Sequence, residues 1–485
     1  MGSTKEAVFI GIDIGTQGIR VIAITETGTL LTSDNHHFSF ITYQNLQIEQ
    51  SPTLWWSCLV NSLKKVSDNL KKFISLEQIV SLSVTSTSGT VIPLDQNYQP
   101  ISNAFMYSDN RSYKEAEFCK QSSMSINKDD YTPFNTSFGL PKIVWFTNKF
   151  PEKADSIHLW CNPTDYIIGK LTDIWGITDY TNSLKMGYNL VKEKWPSYIF
   201  DILKLPNSWF PQVVHPGKVL GYLSPKISAI TGLPNKIKVV AGLTDGCASQ
   251  IASGAVSLGD WNTTIGTTMV VKGVTYRPIE DPYGRIYNHK HPCGYWMPGG
   301  ASNTGADWIS KDFSNENLHY LNEVAKKLIP TSWISYPLQQ KGERFPFIYD
   351  NAQGFDPHNV SKEELYTARI EGIAYLERLS YEIIEKFSVD VKTIYTAGGG
   401  SNSDVWLAVR SNVLQKPIYK MKYVEAAIGA AIVAASQTYY KNIEQAAKQM
   451  LKLEKYIEPS YYMMEKYEEN YQRFVNILKT KGYIS

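Results

Sequence analysis

The sequence predicts an α/β protein made of two related lobes, and three observations lead there. Length is the first: 485 residues, 43% hydrophobic and 19% charged, are enough for two large domains with buried cores and exclude a disordered chain. The second is alternation, since β-branched runs such as Val8-Phe9-Ile10-Gly11-Ile12-Asp13-Ile14 are followed by turn residues and amphipathic helical stretches. The third is repetition. Ile14-Gly15-Thr16 returns as Ile265-Gly266-Thr267, 251 residues later, with a strand pattern on both sides each time. The tripeptide is cheap by chance, but the matching strand-turn-strand context heads each half of the chain.

The elements follow in order. Val8–Ile14 reads as a strand, Gly15–Gly18 as a turn and Ile19–Ile24 as a second strand, with a third after Glu26-Thr27-Gly28. Ser51-Pro52 offers an N-cap and a first-turn proline to a helix carrying Trp55, Trp56, Leu59 and Leu63. Ile79–Val84 is a short strand running into Thr85-Ser86-Thr87-Ser88-Gly89-Thr90. The apolar strand through Val239 and Val240 breaks at Gly242-Leu243-Thr244-Asp245-Gly246, and a small-residue helix starts near Cys247. The division between lobes is expected near residue 250, giving domains 1–250 and 251–485.

In the second half, Trp261–Ile265 and Met269–Val271 read as strands, and Pro298–Gly305 as a glycine-rich turn. A loop region covers 341–360, and a long helix runs from about Lys362 to Lys386. The strand Lys392–Thr396 leads into Ala397-Gly398-Gly399-Gly400-Ser401-Asn402 and another helix. Glu425–Ala435 is a helix of small residues suited to close packing, and the charged, aromatic tail beyond 440 is predicted helical.

Charge and cysteines narrow the class. Lys plus Arg number 48 against 46 acidic residues, a net charge of +2, so no basic excess marks a nucleic-acid or anionic-lipid partner. The longest apolar stretch, Ala426–Ala435, falls far short of the ~20 residues of a membrane span. Five scattered cysteines without a Cys-x-x-Cys pair give neither a disulfide framework nor a zinc ribbon. The polar N-terminus lacks a signal-peptide core, so a cytoplasmic enzyme is the expectation.

Candidate chemistry gathers at glycine turns. In Gly11-Ile12-Asp13-Ile14-Gly15-Thr16, an aspartate ending a strand can approach a magnesium ion while the turn amides face phosphate oxygens. The plainer reading is an ordinary hairpin turn. Gly266-Thr267-Thr268 repeats the arrangement, and two such turns could grip one polyphosphate from two sides. Gly398–Asn402 is a third glycine loop, open enough for a nucleoside, or simply a strand-helix turn with a cap. Walker A and Rossmann glycine patterns are absent. Asp245 is the candidate base, its alternative role being a helix N-cap; phosphoryl transfer to an alcohol needs an aligned hydroxyl, a proton acceptor and charge neutralisation. Ser86, Thr87, Ser88 and Gly89, with Asp109 and Arg111, suit a polyol, and a Ser/Thr turn and a surface ion pair are their plainer readings. His289-Lys290-His291-Pro292-Cys293 lacks a fourth partner and reads as hairpin packing rather than a zinc site.

Taken together these residues resemble the FGGY carbohydrate kinases of the actin and sugar-kinase ATPase superfamily. The likeness runs over nearly the whole chain: Gly11–Thr16, Glu49-Gln50-Ser51-Pro52 ahead of Trp55-Trp56, Ser108–Arg111, Lys142–Phe146, Gly242–Gly246, Gly266–Thr268, Gly342–Pro346, Glu371–Ala374 and Ala397–Asn402. Asp173 stands where the family often has glycine. The resemblance implies two ribonuclease-H-like, actin-like ATPase lobes with an inter-lobe cleft, closing about a hinge near residue 250. ATP and Mg2+ are the expected cofactors. Asp245 is the implied base and Asp13 the catalytic and metal-holding carboxylate. Gly15, Thr16, Gln17, Gly266, Thr267, Thr268, Asn303, Gly399, Gly400 and Asn402 are expected at the nucleotide, and Gly246 joins the sugar-binding set. Glycerol kinases typically carry Gln-Arg-Glu at the substrate loop and xylulose kinases Gln-Met-His-Gly. Ser86-Thr87-Ser88-Gly89 looks more like D-ribulose kinases, so the expected substrate is a ketopentose, D-ribulose ahead of D-xylulose. Other polyols or sugar acids (glycerol, gluconate) and an actin- or chaperone-like switch ATPase without sugar are the alternatives. No nucleic-acid or membrane partner is expected, and a homodimer is left open.

Overall fold

Each of the two Ile-Gly-Thr hairpins opens a seven-stranded mixed sheet, and the two sheets follow one strand plan. The computed structural model describes residues 6–38, 41–43, 46–125 and 131–484. The chain forms two units: residues up to 252 together with 425–451, and residues 253–424 together with 452 onward. The return of 425–451 to the first unit is a crossing that division of the chain at a single point does not carry.

In the first unit, Val8–Ile14 pairs antiparallel with Gly18–Thr25, which pairs antiparallel with Leu30–His37. On its other side Val8–Ile14 lies parallel to Ile79–Ser86, followed by Lys238–Val240 and the edge strand Val219–Tyr222. The short strand Leu243–Thr244 also runs parallel to the end of Ile79–Ser86. The central strands Val8–Ile14 and Ile79–Ser86 are buried along nearly their whole length because both faces are covered, whereas the edge strands Leu30–His37 and Val219–Tyr222 are partly exposed. Helix Pro52–Leu70, capped by Ser51 with Pro52 in its first turn, buries Trp55, Leu59, Leu63 and Val66 in the core formed with Val8, Ile10, Leu82 and Val84.

Helix Ala426–Ser436 is buried along its whole length and packs on Val8–Ile14 and Ile79–Ser86. Its composition explains the fit. A Cβ at Gly11 would lie 1.8 Å from the Ala427 carbonyl oxygen, and one at Gly429 would lie 2.0 Å from that of Ala248. Backbone meets backbone at both places, which only glycine permits. A second core in this unit gathers Phe105, Leu140, Ile143, Phe146, Trp160 and Tyr198 behind the loops that carry Asp109 and Arg111. Helix Pro163–Thr172 ends at Asp173 with φ of 62°, the left-handed closure usually given to glycine and tolerated by aspartate.

The second unit repeats the plan. Asp260–Ile265 pairs antiparallel with Met269–Gly273, which pairs with Trp296–Ala301, then Ile286–Lys290. On the other side it lies parallel to Thr393–Ala397, followed by Ile418–Met421 in parallel and Leu453–Ile457 antiparallel at the edge. The crossover is the long helix Lys362–Glu385, opened by a reciprocal capping box between Ser361 and Glu364.

Two expectations need correction here. Pro298–Ala301, read as part of a glycine turn, belongs to the strand Trp296–Ala301. The glycines serve packing: a Cβ at Gly300 would lie 2.5 Å from the Phe345 ring, and one at Gly299 would lie 2.9 Å from the Lys272 side chain. The tail beyond 440 is helical at Ile443–Met450 and Tyr461–Thr480, but Leu453–Ile457 between them is a strand. Its Leu-Glu-Lys-Tyr-Ile sequence puts adjacent charges on opposite faces and has no period-two alternation, so nothing local marks it as an edge strand.

Candidate active site

Three parallel strands of the first unit end together: Val8–Ile14, Ile79–Ser86 and Leu243–Thr244. In open α/β sheets ligands gather beyond such carboxyl ends. Asp13 sits at the end of the first, between Arg20 on one neighbouring strand and Thr85 on the other. Its Oδ1 is buried without a hydrogen-bond partner. Burial, and then the charge of Asp245, push its carboxyl up to about 7, with Arg20 opposing. Arg20 is itself held by Asn35 at 2.9 Å.

The turn after Asp13 is fixed from outside. Gly15 donates to the Gly18 carbonyl at 2.9 Å, and Gln50 donates to the Thr16 carbonyl at 2.8 Å. Gln50 in turn accepts from the buried Trp55 indole at 2.9 Å. Gln17 is exposed. A Cβ at Gly15 would meet nothing nearer than 3.7 Å, so the turn faces open space.

Asp245 begins the helix Asp245–Ser253, and its Oδ1 accepts from the Gly246 amide at 2.6 Å. The strand before it is anchored: Thr244 donates to the Thr181 hydroxyl at 2.8 Å, and the buried Asp179 binds the amide and hydroxyl of Thr181, each at 2.7 Å. Burial holds the Asp179 carboxyl above its usual range. The Tyr107 hydroxyl is also raised, by burial and then by the charge of Asp245. The charge of Asp245 is therefore felt both at Asp13 and at Tyr107, in the loop that leads to Asp109 and Arg111.

The polyol loops divide between frame and open groups. The Ser86 hydroxyl bonds the Thr164 hydroxyl at 2.7 Å and amide at 3.1 Å, and the Thr87 hydroxyl bonds that of Thr90 at 2.8 Å. Both side chains are thus engaged within the protein. Ser88 Oγ is buried without a hydrogen-bond partner. Gly89 has φ of 85°, and a Cβ there would lie 2.2 Å from the Ser137 carbonyl oxygen, so segment 135–138 lies against this loop.

Asp109 accepts from the Ile48 amide at 2.9 Å and grips Arg111 through both oxygens, while Arg111 reaches Glu49 at 2.6 Å and lies 4.4 Å from the Trp145 ring centre. Lys142 is buried behind them, donating to the carbonyls of Thr136 and Phe138. Burial lowers its ammonium to about 7, with Asp109 opposing. The sequence places Tyr107 in the candidate polyol segment Tyr107–Arg111 but assigns no task to Lys142 or Gln50. Their signal is position: each falls inside a motif whose neighbours were already singled out.

In the second unit, Gly266–Thr268 turns between Asp260–Ile265 and Met269–Gly273, and a Cβ at Gly266 would meet nothing within 4 Å. Asn303 is held by the Glu343 carboxylate and the Gly342 carbonyl. Gly399 also faces open space. Gly400 instead packs on Ile265, and Asn402 accepts from Lys420 at 3.2 Å. Thr264 occupies the position matching Asp13, so the second hairpin has no carboxylate there. Around His289–Cys293, as elsewhere among the described residues, no three His, Cys, Asp or Glu side chains cluster as a metal site. Among the described residues, no helix is long and apolar enough to cross a membrane.

Known structures share this fold. A ligand-bound xylulose kinase from Lactobacillus acidophilus superposes with a TM-score of 0.85 at 22% identity, covering 98% of each chain. Gluconate kinase from the same organism gives 0.85 at 21%, again covering 98% of each. The fold is therefore the two-unit α/β fold of these structures. Residues 8–252 match the N-terminal domain of the FGGY family of carbohydrate kinases and residues 254–438 its C-terminal domain, so the chain belongs to that family of ATP-dependent sugar phosphotransferases. Among curated relatives, xylulose kinase of Bacillus subtilis (strain 168) is 24% identical over 486 residues, covering 96% of each chain. Gluconokinase of Bacillus licheniformis is 25% identical over 452 residues, covering 88% of this chain and 87% of its own.

Proposed function

We propose that this sugar kinase transfers the γ-phosphoryl group of ATP to a hydroxyl of a ketopentose, D-ribulose or D-xylulose, with Asp245 as the proton acceptor. The observation that supports this most is geometric: in register, Ile14, Ser86 and Thr244 end three adjacent parallel strands, which brings Asp13, the loop from Ser86 and Asp245 to one edge, and the charge of Asp245 raises both Asp13 and Tyr107. Asp245 takes the proton from the attacking hydroxyl as the bond to phosphorus forms. Ser88 Oγ, Asp109 and Arg111 orient the sugar, the last two as a fixed pair. Gly15-Thr16-Gln17 present the turn to the transferring phosphoryl group. Gly266-Thr267-Thr268, Asn303, Gly399, Gly400 and Asn402 are proposed for the nucleotide.

The orphaned, buried Oδ1 of Asp13 fits Mg2+, a hard cation usually bound through one or two carboxylates together with phosphate oxygens. When bound, Mg2+ would neutralise charge on the phosphates. A sugar acid is the second reading. It is favoured by the gluconokinase relative and by Lys185 beside the sugar loop, its Nζ 3.5 Å from the Ser88 carbonyl. A coupled ADP-release assay over D-ribulose, D-xylulose, L-ribulose, L-xylulose, glycerol and gluconate tests the assignment. Ketopentose turnover at least tenfold above the rest is expected, and a gluconate maximum would replace it with the second reading.

A further inference from the structure

We infer that Glu343 is a positioning residue for the nucleotide, acting through segment 302–304 on the turn Gly266–Thr268; this rests on the proposal that the turn meets phosphate. Glu343 is buried, and its carboxylate collects five donors. Oε2 accepts from the hydroxyls of Ser302, Thr304 and Tyr336 at 2.8, 2.8 and 2.9 Å. Oε1 accepts from the amides of Asn303 and Arg344 at 2.6 and 2.9 Å. Three consecutive residues, 302 to 304, are therefore fastened to one side chain some 40 positions away, and Asn303 Nδ2 adds a bond to the Gly342 carbonyl at 2.9 Å.

That segment is built into the turn. Ser302 donates to the Met269 carbonyl and Met269 to that of Thr304, both at 2.9 Å, and Ala306 donates to the Gly266 carbonyl at 2.7 Å. A Cβ at Gly305 would lie 2.4 Å from the Thr267 oxygen and 2.5 Å from the Thr268 Cα, so the two backbones touch. A shift of 302–304 must move the 266–269 backbone. The turn itself has nothing beyond Gly266 to brace it on the open side. Its outward amides are thus held from behind, by an acceptor-only group whose capacity is filled. A carboxylate suits the task because it has no donor that would oppose any of the five.

The test uses the full-length enzyme and measures ATP binding by titration without sugar, alongside steady-state kinetics. In Glu343→Gln the two amides keep an oxygen at Oε1, and the new NH2 faces hydroxyls that can turn to accept, so the fold is retained while the segment loosens. ATP affinity should fall ~10-fold or more, as for other residues that orient a binding group from behind, with KM for the sugar within twofold of native. Thr304→Val, which removes one donor at constant shape, should weaken ATP in the same direction and serves where Glu343→Gln is poorly folded. Gly266→Ala is the control, a methyl placed in open space that only a ligand would meet. Native ATP affinity in both Glu343→Gln and Thr304→Val, with weakened binding in Gly266→Ala, overturns the inference alone. Native affinity in Gly266→Ala overturns the phosphate-turn reading and the inference with it. A parallel rise in KM for the sugar would show a general structural loss and also overturn it.

Discussion

Glycines 15, 266 and 399 have room for a methyl group, whereas Gly11 has a carbonyl oxygen 1.8 Å from where its Cβ would stand. Alanine should separate the two roles. At Gly15 and Gly399 the melting temperature should stay level or rise slightly, because alanine restricts the unfolded chain, while KM for ATP rises. Gly11→Ala should instead destabilise the first unit by about 2–4 kcal/mol through overpacking, read by denaturant unfolding. Asp13 makes a pH prediction. Its folded pKa of about 7 lies above the unfolded value, so its protonated form contributes stability that is lost as pH rises toward and through 7. Asp13→Asn should therefore melt progressively higher than the native protein between pH 5 and 8 without nucleotide. In the native enzyme, Mg2+ dependence should tighten over the same interval as the carboxylate ionises, and the variant should lose that pH response.

At the scale of elements, both glycine turns are braced by a buried polar side chain from a distant segment: Gln50 behind Thr16 and Glu343 behind 302–304. Gln50→Leu should leave the Thr16 carbonyl and the Trp55 indole without partners, at a cost of about 1–3 kcal/mol each if they stay dry. Lower kcat and lower melting temperature are expected together, unlike the alanine variants at open glycines. Such braces were only half legible in the sequence. Gln50 and Glu343 lie in motifs that could be quoted, but a hydrogen bond across 34 or 40 positions has no local periodicity. The hairpins, the helix at Ser51-Pro52 and the small-residue helix were readable because caps, β-branched runs and alanine content are local. The strand Leu453–Ile457 was not, since its five residues carry no apolar alternation and lie between two helices. Ser86 and Thr87 show the same limit: residue type marked them as polyol ligands, but their hydroxyl partners, Thr164 and Thr90, appear only in three dimensions.

Across the whole molecule, the repeat first visible as one tripeptide extends to strand order and direction in both sheets. The units differ at the residues proposed for chemistry: the first carries Asp13 and Asp245, the second has Thr264 at the position of Asp13. The buried helix Ala426–Ser436 belongs to the first unit although it follows most of the second in sequence. Gly429→Val, which would press on the Ala248 carbonyl, should speed amide exchange in Val8–Ile14 and Ile79–Ser86 more than in Asp260–Ile265. The decisive measurement concerns Asp245, the group whose charge reaches both proposed binding loops. With saturating ATP and the best sugar of the panel, Asp245→Ala should lower kcat by roughly 10²–10⁴-fold while ATP titration shows affinity within a few-fold of native. A kcat within tenfold of the native enzyme in the folded variant would contradict the assignment of Asp245 as the base.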